Sequence, residues 1–120
     1  MSYMRLVLVG RLGRNPAMSD KREDMCMFSL AVSVGYGERE KTQWFEVAAT
    51  GRLLDEALRL EKGQQVLVKA DMIRVETWRD KDGNPRATLH VRAVGIDSLQ
   101  NAFAGAGSGY RDSDDVWGDL

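Results

Sequence analysis

The side chains of this chain that are best suited to bind another molecule are aromatic, and the first of them is Trp44. In residues 42–50 apolar side chains recur at every second position, as expected for a strand with one buried face: Phe45, Val47 and Ala49. Trp44 has the opposite parity, so we predict that its indole lies on the polar face. A ring exposed there offers a flat surface on which a planar group can stack.

Trp78 repeats this arrangement in a second strand. In residues 72–78 the alternation predicts that Ile73 and Val75 are buried and that Trp78 lies on the polar face. The alternation alone leaves a second interpretation open for both tryptophans, since most tryptophans pack in a core or in a subunit interface.

Tyr36 is the third candidate aromatic residue. It follows Gly35 in a polar stretch, residues 35–41, that is typical of a hairpin loop. Strand parity would place Tyr36 on the core side, whereas a break of register at Gly35 would turn it outward. Both placements are compatible with the sequence.

Arginines near predicted turns, or on the face that carries the tryptophans, are candidate contacts for anions such as phosphate groups. Taken singly, each is more simply explained as a solvated surface charge. Taken together, the set is expected to contain several phosphate contacts: Arg11, Arg14, Arg52, Arg74, Arg79 and Arg86.

The elements that position these side chains are mostly strands. We predict strands at residues 4–9 (ended by Gly10), 25–34, 42–50, 65–78 and 87–96, turns at 10–16 and 79–86, and a helix at 52–62 between Thr50 as N-cap and Gly63. Four or five strands with one short helix between the third and the fourth suit a small closed all-β barrel of the OB type.

Length and charge divide the chain into three parts. The 120 residues with 43% hydrophobic content suffice for one domain, which we place at residues 1–100. A Gly-rich segment at 101–111 is expected to be a flexible linker, and residues 112–120 a disordered acidic tail. All 17 Lys and Arg lie in residues 1–111 with 14 of the 18 Asp and Glu, a net charge of +3, while the other four acids lie in the tail.

Several functional classes receive no support from the sequence. Cys26 is the only cysteine and lacks the companions that a disulfide or a zinc site requires. His90 lies mid-strand without a catalytic constellation, which favours a structural role. The N-terminal segment has no signal-peptide pattern, and no apolar run approaches the ~20 residues of a membrane span. We therefore expect a non-enzymatic, cytoplasmic protein without metal, cofactor or membrane partner.

Six short motifs occur in a recognisable order over residues 4 to about 100: LVGRLGRNP at 8–16, FSLAV at 28–32, TQWF at 42–45, GRL at 51–53, KGQQV at 62–66 and WRDKDG at 78–83. In this order the chain resembles the bacterial-type single-stranded DNA-binding protein family. No single motif is diagnostic, but six in register are a strong signal.

This resemblance implies an OB fold and single-stranded DNA as the partner. Trp44 and Trp78 match family positions that stack on unpaired bases, Tyr36 falls where the family often has an aromatic residue, and Arg52 falls on a position that is usually basic. The resemblance also implies a homo-oligomer, for which we favour a tetramer over a dimer, and a nucleoid-associated location.

The acidic terminus resembles the family segment that docks on DNA replication, recombination and repair proteins. The residues that match it are Asp114, Asp115, Val116, Trp117, Asp119 and Leu120. For an arbitrary protein a solubilising role would be the better interpretation of such a tail.

The chain departs from the family pattern at a few positions. Thr50 stands where many members have an aromatic residue, Phe45 replaces a common His near a subunit contact, and Ala70-Asp71 replaces a Gly with an apparent one-residue insertion. These departures, together with the unusual tail ending, leave a second hypothesis open: an OB-fold adaptor that mainly recruits enzymes and binds DNA weakly.

Overall fold

Six strands and one short α-helix form the part of the chain that the structure, a computed structural model, describes: residues 1–99. The strands are β1 (Leu6–Leu12), β2 (Ala17–Met18), β3 (Met25–Val34), β4 (Lys41–Thr50), β5 (Gln65–Arg79) and β6 (Pro85–Ser98). The helix is α1 (Leu54–Leu58), and single 3-10 turns occupy Gly37–Arg39 and Gly51–Leu53. The predicted linker and tail lie outside the described residues.

The five long strands close into a barrel. Their hydrogen-bonded order is β1-β5-β6-β4-β3, and β1 pairs with β3 as well, which closes the ring. β4 and β6 form the parallel pair of this ring. The two-residue β2 adds to β3 outside the ring, and no sequence pattern predicted it. The predicted all-β OB-type barrel of five strands with one short helix is confirmed.

Closure of the barrel depends on Gly10. A Cβ atom on Gly10 would lie 2.3 Å from the carbonyl oxygen of Ala31, a distance that no side chain tolerates. The absence of a side chain therefore lets β1 approach β3, so that Arg11 pairs with Ala31 and Leu12 with Leu30. The prediction that β1 ends at Gly10 is wrong, because the glycine serves a close approach of two strands and not a turn.

The barrel interior is filled by alternate residues of the long strands, and α1 covers one end. The largest fully buried side chains are Phe28, Leu30, Val47, Val66, Val68 and Cys26. On the α1 side, Leu53, Ala57 and Leu60 are buried against them. The predicted helix over residues 52–62 is too long: Thr50 makes no side-chain cap hydrogen bond, and only five residues are α-helical. In so short a segment, packing on the barrel and not helix propensity sets the ends.

β5 and β6 extend beyond the barrel as a long antiparallel hairpin. They have 15 and 14 residues, compared with 7 to 10 in the other three long strands. Val75 lies on this extension and is 58% exposed, whereas Ile73, nearer the barrel, packs partly against the core. The predicted burial of Val75 is wrong, because the alternation indicates a common face but not whether another layer covers it.

Candidate nucleic-acid interface

One outward face of the sheet, which spans β3, β4, β6 and β5, carries both candidate tryptophans. Cross-strand pairs place Ala31 beside Trp44 and Thr88 beside Glu76. Trp44 and Thr88 each precede a residue of the parallel pair Phe45–Leu89, so they are also neighbours. We call this surface the tryptophan face; its central residues are Ser29, Ala31, Trp44, Glu46, Thr88, His90, Arg74, Glu76, Trp78 and Arg86.

Trp44 packs on the backbone of Gly13 at one side of this face. A Cβ atom on Gly13 would lie 2.5 Å from Cζ3 and 2.8 Å from Cη2 of the indole, so the six-membered ring occupies the space that a side chain would need. Trp44 nevertheless remains 51% exposed. The prediction that strand parity places this ring outside the core is confirmed, and Gly13 is the residue that supports it.

Trp78 reaches the same face because of a bulge in β5. Val66, Val68 and Ala70 are buried, and uninterrupted alternation would direct Trp78 inward with them. The register instead passes from Ala70–Ala93 directly to Met72–Arg92, which leaves Asp71 as an extra residue. The parity of β5 therefore changes, and Trp78 lies outside. The apparent one-residue insertion at Ala70-Asp71 is thus accommodated as a bulge.

The Trp78 indole is held by a hydrogen bond. Its Nε1–H donates to Oγ1 of Thr88 at 3.0 Å, across the β5–β6 pair. Trp78 remains 47% exposed. Since Thr88 lies between Trp44 and the β5 strand, the two indoles flank one threonine on neighbouring parts of the same face.

Tyr36 lies at the end of the β3–β4 hairpin, beyond the last pair, Val34–Lys41. It is 61% exposed. Gly35 has a φ of +92°, a backbone conformation that breaks the strand, and a Cβ atom there would lie 2.6 Å from the carbonyl oxygen of Arg39. Of the two placements that the sequence left open, the outward one is therefore correct.

Each of four arginines at or beside the tryptophan face is paired with an acidic side chain. The pairs are Arg14–Glu46 at 2.9 Å, Arg74–Glu76 at 3.4 Å, Arg86–Asp80 at 3.0 Å and Arg92–Asp71 at 2.8 Å. Arg92 was not among the predicted site residues, although its outward parity on β6 was a usable signal. These pairs make the face nearly neutral although it is rich in arginine.

Two of these acids have lowered pKa values. The two hydrogen bonds from the Arg92 guanidinium hold the pKa of Asp71 below its ordinary value. The pKa of Asp80 is lowered first by the backbone N–H of Asn84 and then by Arg86. Both carboxylates are therefore ionised throughout the neutral pH range, where their arginine partners are paired with a full negative charge.

The other three predicted arginines lie elsewhere. Arg11 donates to the carbonyl oxygen of Gly63 at 3.0 Å, and Arg79 donates to that of Gly83 at 2.9 Å, within the β5–β6 turn. Arg52 lines a shallow depression beside α1, together with Lys69 and Glu56. The structure thus brings Arg14, Arg74 and Arg86 to the tryptophans but not Arg11 or Arg52.

Glu46 and His90 lie at the centre of the face, and neither was a predicted site residue. Glu46 accepts hydrogen bonds from Ser29 Oγ at 2.6 Å and from Arg14 Nη2 at 2.9 Å. His90 is its neighbour on β6, with Nε2 3.9 Å from a carboxylate oxygen of Glu76. Within residues 1–99 this buried nitrogen has no hydrogen-bond partner.

Two kinds of feature are absent from residues 1–99. No group of three or more His, Cys, Asp and Glu side chains in this range is arranged to hold a metal ion. No helix in the same range has the length and apolar character needed to cross a membrane.

Comparison with known proteins adds to this geometry. The model of the Single-strand binding protein family matches residues 3–99. The chain belongs to this family. Members of the family are DNA-binding proteins and not enzymes.

Two relatives show how far the similarity extends. A single-stranded DNA-binding protein of Deinococcus radiodurans is 27% identical over 112 residues, which cover 88% of this chain and 37% of the relative. One from Chlamydia pneumoniae is 31% identical over 105 residues, or 85% of this chain and 63% of the relative. The chain thus spans between about a third and two thirds of the length of these relatives.

Solved structures agree with the fold. A small single-stranded DNA-binding protein from Streptomyces coelicolor has a TM-score of 0.66 at 26% identity, with 82% of this chain and 95% of that chain covered. A mitochondrial single-stranded DNA-binding protein from S. cerevisiae has a TM-score of 0.60 at 22% identity, covering 83% and 98% of the two chains. The second similarity concerns the fold alone.

The Thr88 hydroxyl gives a testable prediction. Thr88→Val removes the acceptor for the Trp78 indole while keeping a β-branched side chain, so the Nε1–H should exchange with solvent roughly fivefold faster, as expected for the loss of a hydrogen bond worth ~1 kcal/mol. Hydrogen exchange of the indole signals in NMR measures this rate. Thr88→Ser keeps the hydroxyl and serves as the control. Equal exchange in the valine variant and the wild type would show that the bond does not hold the ring.

Proposed function

We propose that this chain binds single-stranded DNA without strong sequence preference, and that the tryptophan face is the binding surface. The observation that carries this proposal is the pair of half-exposed indoles, Trp44 and Trp78, on one open face of a barrel from this family. The similar proteins from D. radiodurans, C. pneumoniae and S. coelicolor bear the name of single-stranded DNA-binding proteins, which supports the choice of ligand.

Base stacking supplies the first part of the mechanism. Every base has a π-face, so rings bind single strands with little regard to sequence, at roughly 1–3 kcal/mol per stacked base. Trp44 rests on Gly13 and Trp78 is tied to Thr88, so both rings are held in place before DNA arrives. Tyr36, at the hairpin end of the face, is the third stacking candidate.

Phosphate contacts supply the second part. Arg14, Arg74 and Arg86 have side chains that are 54–59% exposed, so each guanidinium can reach solvent while it is paired with an acid. Guanidinium groups bind phosphates in two-pronged geometry, and these contacts weaken as salt is added. Arg79, the last residue of β5, donates to the Gly83 carbonyl oxygen in the β5–β6 turn and is a further candidate at the end of the hairpin. Arg11 and Arg52 lie away from the tryptophan face and are proposed as contacts only for a strand that extends beyond it.

The acidic tail is proposed to recruit DNA replication, recombination or repair proteins. The support is the sequence alone: Asp114, Asp115 and Asp119 lie among the apolar residues Val116, Trp117 and Leu120, a composition suited to a basic pocket with an apolar floor. This part of the proposal concerns residues outside those that the structure describes.

The last part of the proposal is self-association into a homo-oligomer, for which a tetramer is favoured over a dimer. Large apolar side chains are exposed at the start of β1 and beside it, at Tyr3, Met4 and Val7. Exposed apolar groups that cluster in this way are typical of subunit contacts. A protein that coats single strands of a chromosome would act in the cytoplasm at the nucleoid. Sedimentation velocity with and without oligo(dT) gives the subunit number.

A second candidate function is an adaptor that recruits enzymes and binds DNA weakly. Two observations favour it: Thr50 offers no ring on β4, and the arginines of the tryptophan face are already paired with acids. Micromolar or weaker affinity for oligo(dT), together with specific capture of a helicase or recombinase, would select this alternative over coating.

The stacking mechanism predicts a large effect of removing both rings. The double variant Trp44→Ala, Trp78→Ala should bind a long oligo(dT) at least about thirtyfold more weakly, since two stacked bases are lost at ~1 kcal/mol or more each. Fluorescence anisotropy of labelled oligo(dT) measures the affinity. Leu58→Ala, which removes an exposed apolar side chain on α1, is the matched control. Unchanged affinity in the double variant would exclude stacking by these rings.

The tail gives an independent prediction. If its carboxylates compete with DNA for the arginines, removal of residues 112–120 should tighten oligo(dT) binding at low salt, and the effect should shrink as salt screens the charges. Titrations of the full and shortened chains at several salt concentrations test this. No difference at any salt concentration would contradict the competition.

A further inference from the structure

Glu46 is an acidic side chain in the middle of the surface on which a polyanion would lie. It is two residues from Trp44 on the same face of β4, and its cross-strand neighbours are Ser29 on β3 and His90 on β6. Its side chain is only 22% exposed, so it is enclosed by these neighbours. A carboxylate so placed repels DNA phosphates unless something neutralises it.

Two hydrogen bonds fix the position of this carboxylate. Oε1 accepts from the Ser29 hydroxyl at 2.6 Å, a short bond of the kind that a charged acceptor makes, and Oε2 accepts from Arg14 at 2.9 Å. Ser29 is itself buried on β3, so its hydroxyl is a rigid support. Because Ser29 fixes the carboxylate, Glu46 is the positioned group of the pair, and it determines where the Arg14 guanidinium lies.

Arg14 is the arginine next in sequence to the platform of Trp44. Gly13 lies under the indole, so the backbone of Arg14 begins directly beside this ring. While its guanidinium is bonded to Glu46, its charge is compensated and one of its N–H groups is occupied. Among the acids of the other pairs, Glu76 also lies on this face but its side chain is more exposed, at 52%, whereas Asp71 lies in the β5 bulge and Asp80 in the β5–β6 turn.

We propose that Glu46 is an electrostatic latch on DNA binding: it holds Arg14 away from phosphate, and DNA binds by replacing the carboxylate with a phosphate group. Glu46 thus sets the affinity. In this proposal bases stack on the indoles first, and the Arg14 guanidinium contacts a phosphate afterwards. Because the exchange leaves a carboxylate without its arginine, the latch weakens binding and favours release of the strand. The proposal rests on the proposed function and adds one residue, Glu46, that opposes DNA binding.

The variant Glu46→Gln tests the latch. The amide keeps the size of the side chain and an acceptor for Ser29 but removes the charge, so binding of oligo(dT) should become about three- to fivefold tighter at low salt, the factor expected for an exposed ion pair. The gain should shrink as salt is added, because salt also screens the ion pair between Glu46 and Arg14. Glu61→Gln makes the same change of net charge between α1 and β5 and should leave the affinity unchanged.

A double-mutant cycle separates the latch from a general effect of charge. In an Arg14→Gln background, Glu46→Gln should tighten binding by a smaller factor, because only the repulsion between the carboxylate and phosphate is relieved and no guanidinium remains to be released. An equal gain in both backgrounds, or no gain in the single variant, overturns the latch. If the wild-type protein does not bind oligo(dT) in the same titrations, that result contradicts the proposed function instead. If the glutamine variant unfolds, Glu46→Thr, a residue suited to strands, repeats the comparison.

Discussion

The arrangement of the candidate site depends on a β-bulge in β5. At this bulge Asp71 has no partner residue on β6. Before Asp71, within the barrel, the even-numbered residues of β5 are buried. After Asp71 the even-numbered residues are exposed. Trp78 would otherwise point to the same side as Val68. Arg92 binds the Asp71 carboxylate through two hydrogen bonds, so the bulge is fixed from the neighbouring strand.

The two halves of the proposed surface are stabilised in different ways. The indoles are held by local contacts, a glycine backbone under Trp44 and a hydroxyl beside Trp78, and they are available to a ligand without rearrangement. The arginines are only partly available, since each is paired with an acid although more than half of its side chain is exposed to solvent. Binding should therefore depend on stacking first and on phosphate second, with less help from salt-sensitive contacts than the number of arginines indicates.

Sequence reasoning was successful where a side-chain period decides the answer. The alternation around Trp44 predicted its exposure, and the order of strands and helix predicted the closed barrel, because both follow from which faces must be buried. Gly10 and Val75 were misjudged, since a glycine in a strand has no pattern that separates a close approach from a turn, and alternation does not show where a barrel ends.

The contacts at the centre of the site were beyond the sequence for a different reason. Glu46 meets His90 only through the parallel pairing of β4 with β6, two strands separated by α1 and β5 in the chain. Thr88 becomes a partner of Trp78 only once the register of the long hairpin is known. Such pairs depend on register between strands, which no local pattern encodes.

The central claim is that unpaired bases lie on Trp44 and Trp78, and the indole signals of the ¹⁵N-labelled full chain test it most directly. On addition of oligo(dT), the account predicts that the Nε1–H resonances of both residues shift, together with backbone amides of β4 and of the β5–β6 hairpin. Tight binding that leaves both indole signals in place, with the shifts confined to α1 and the outer side of β1, would contradict it.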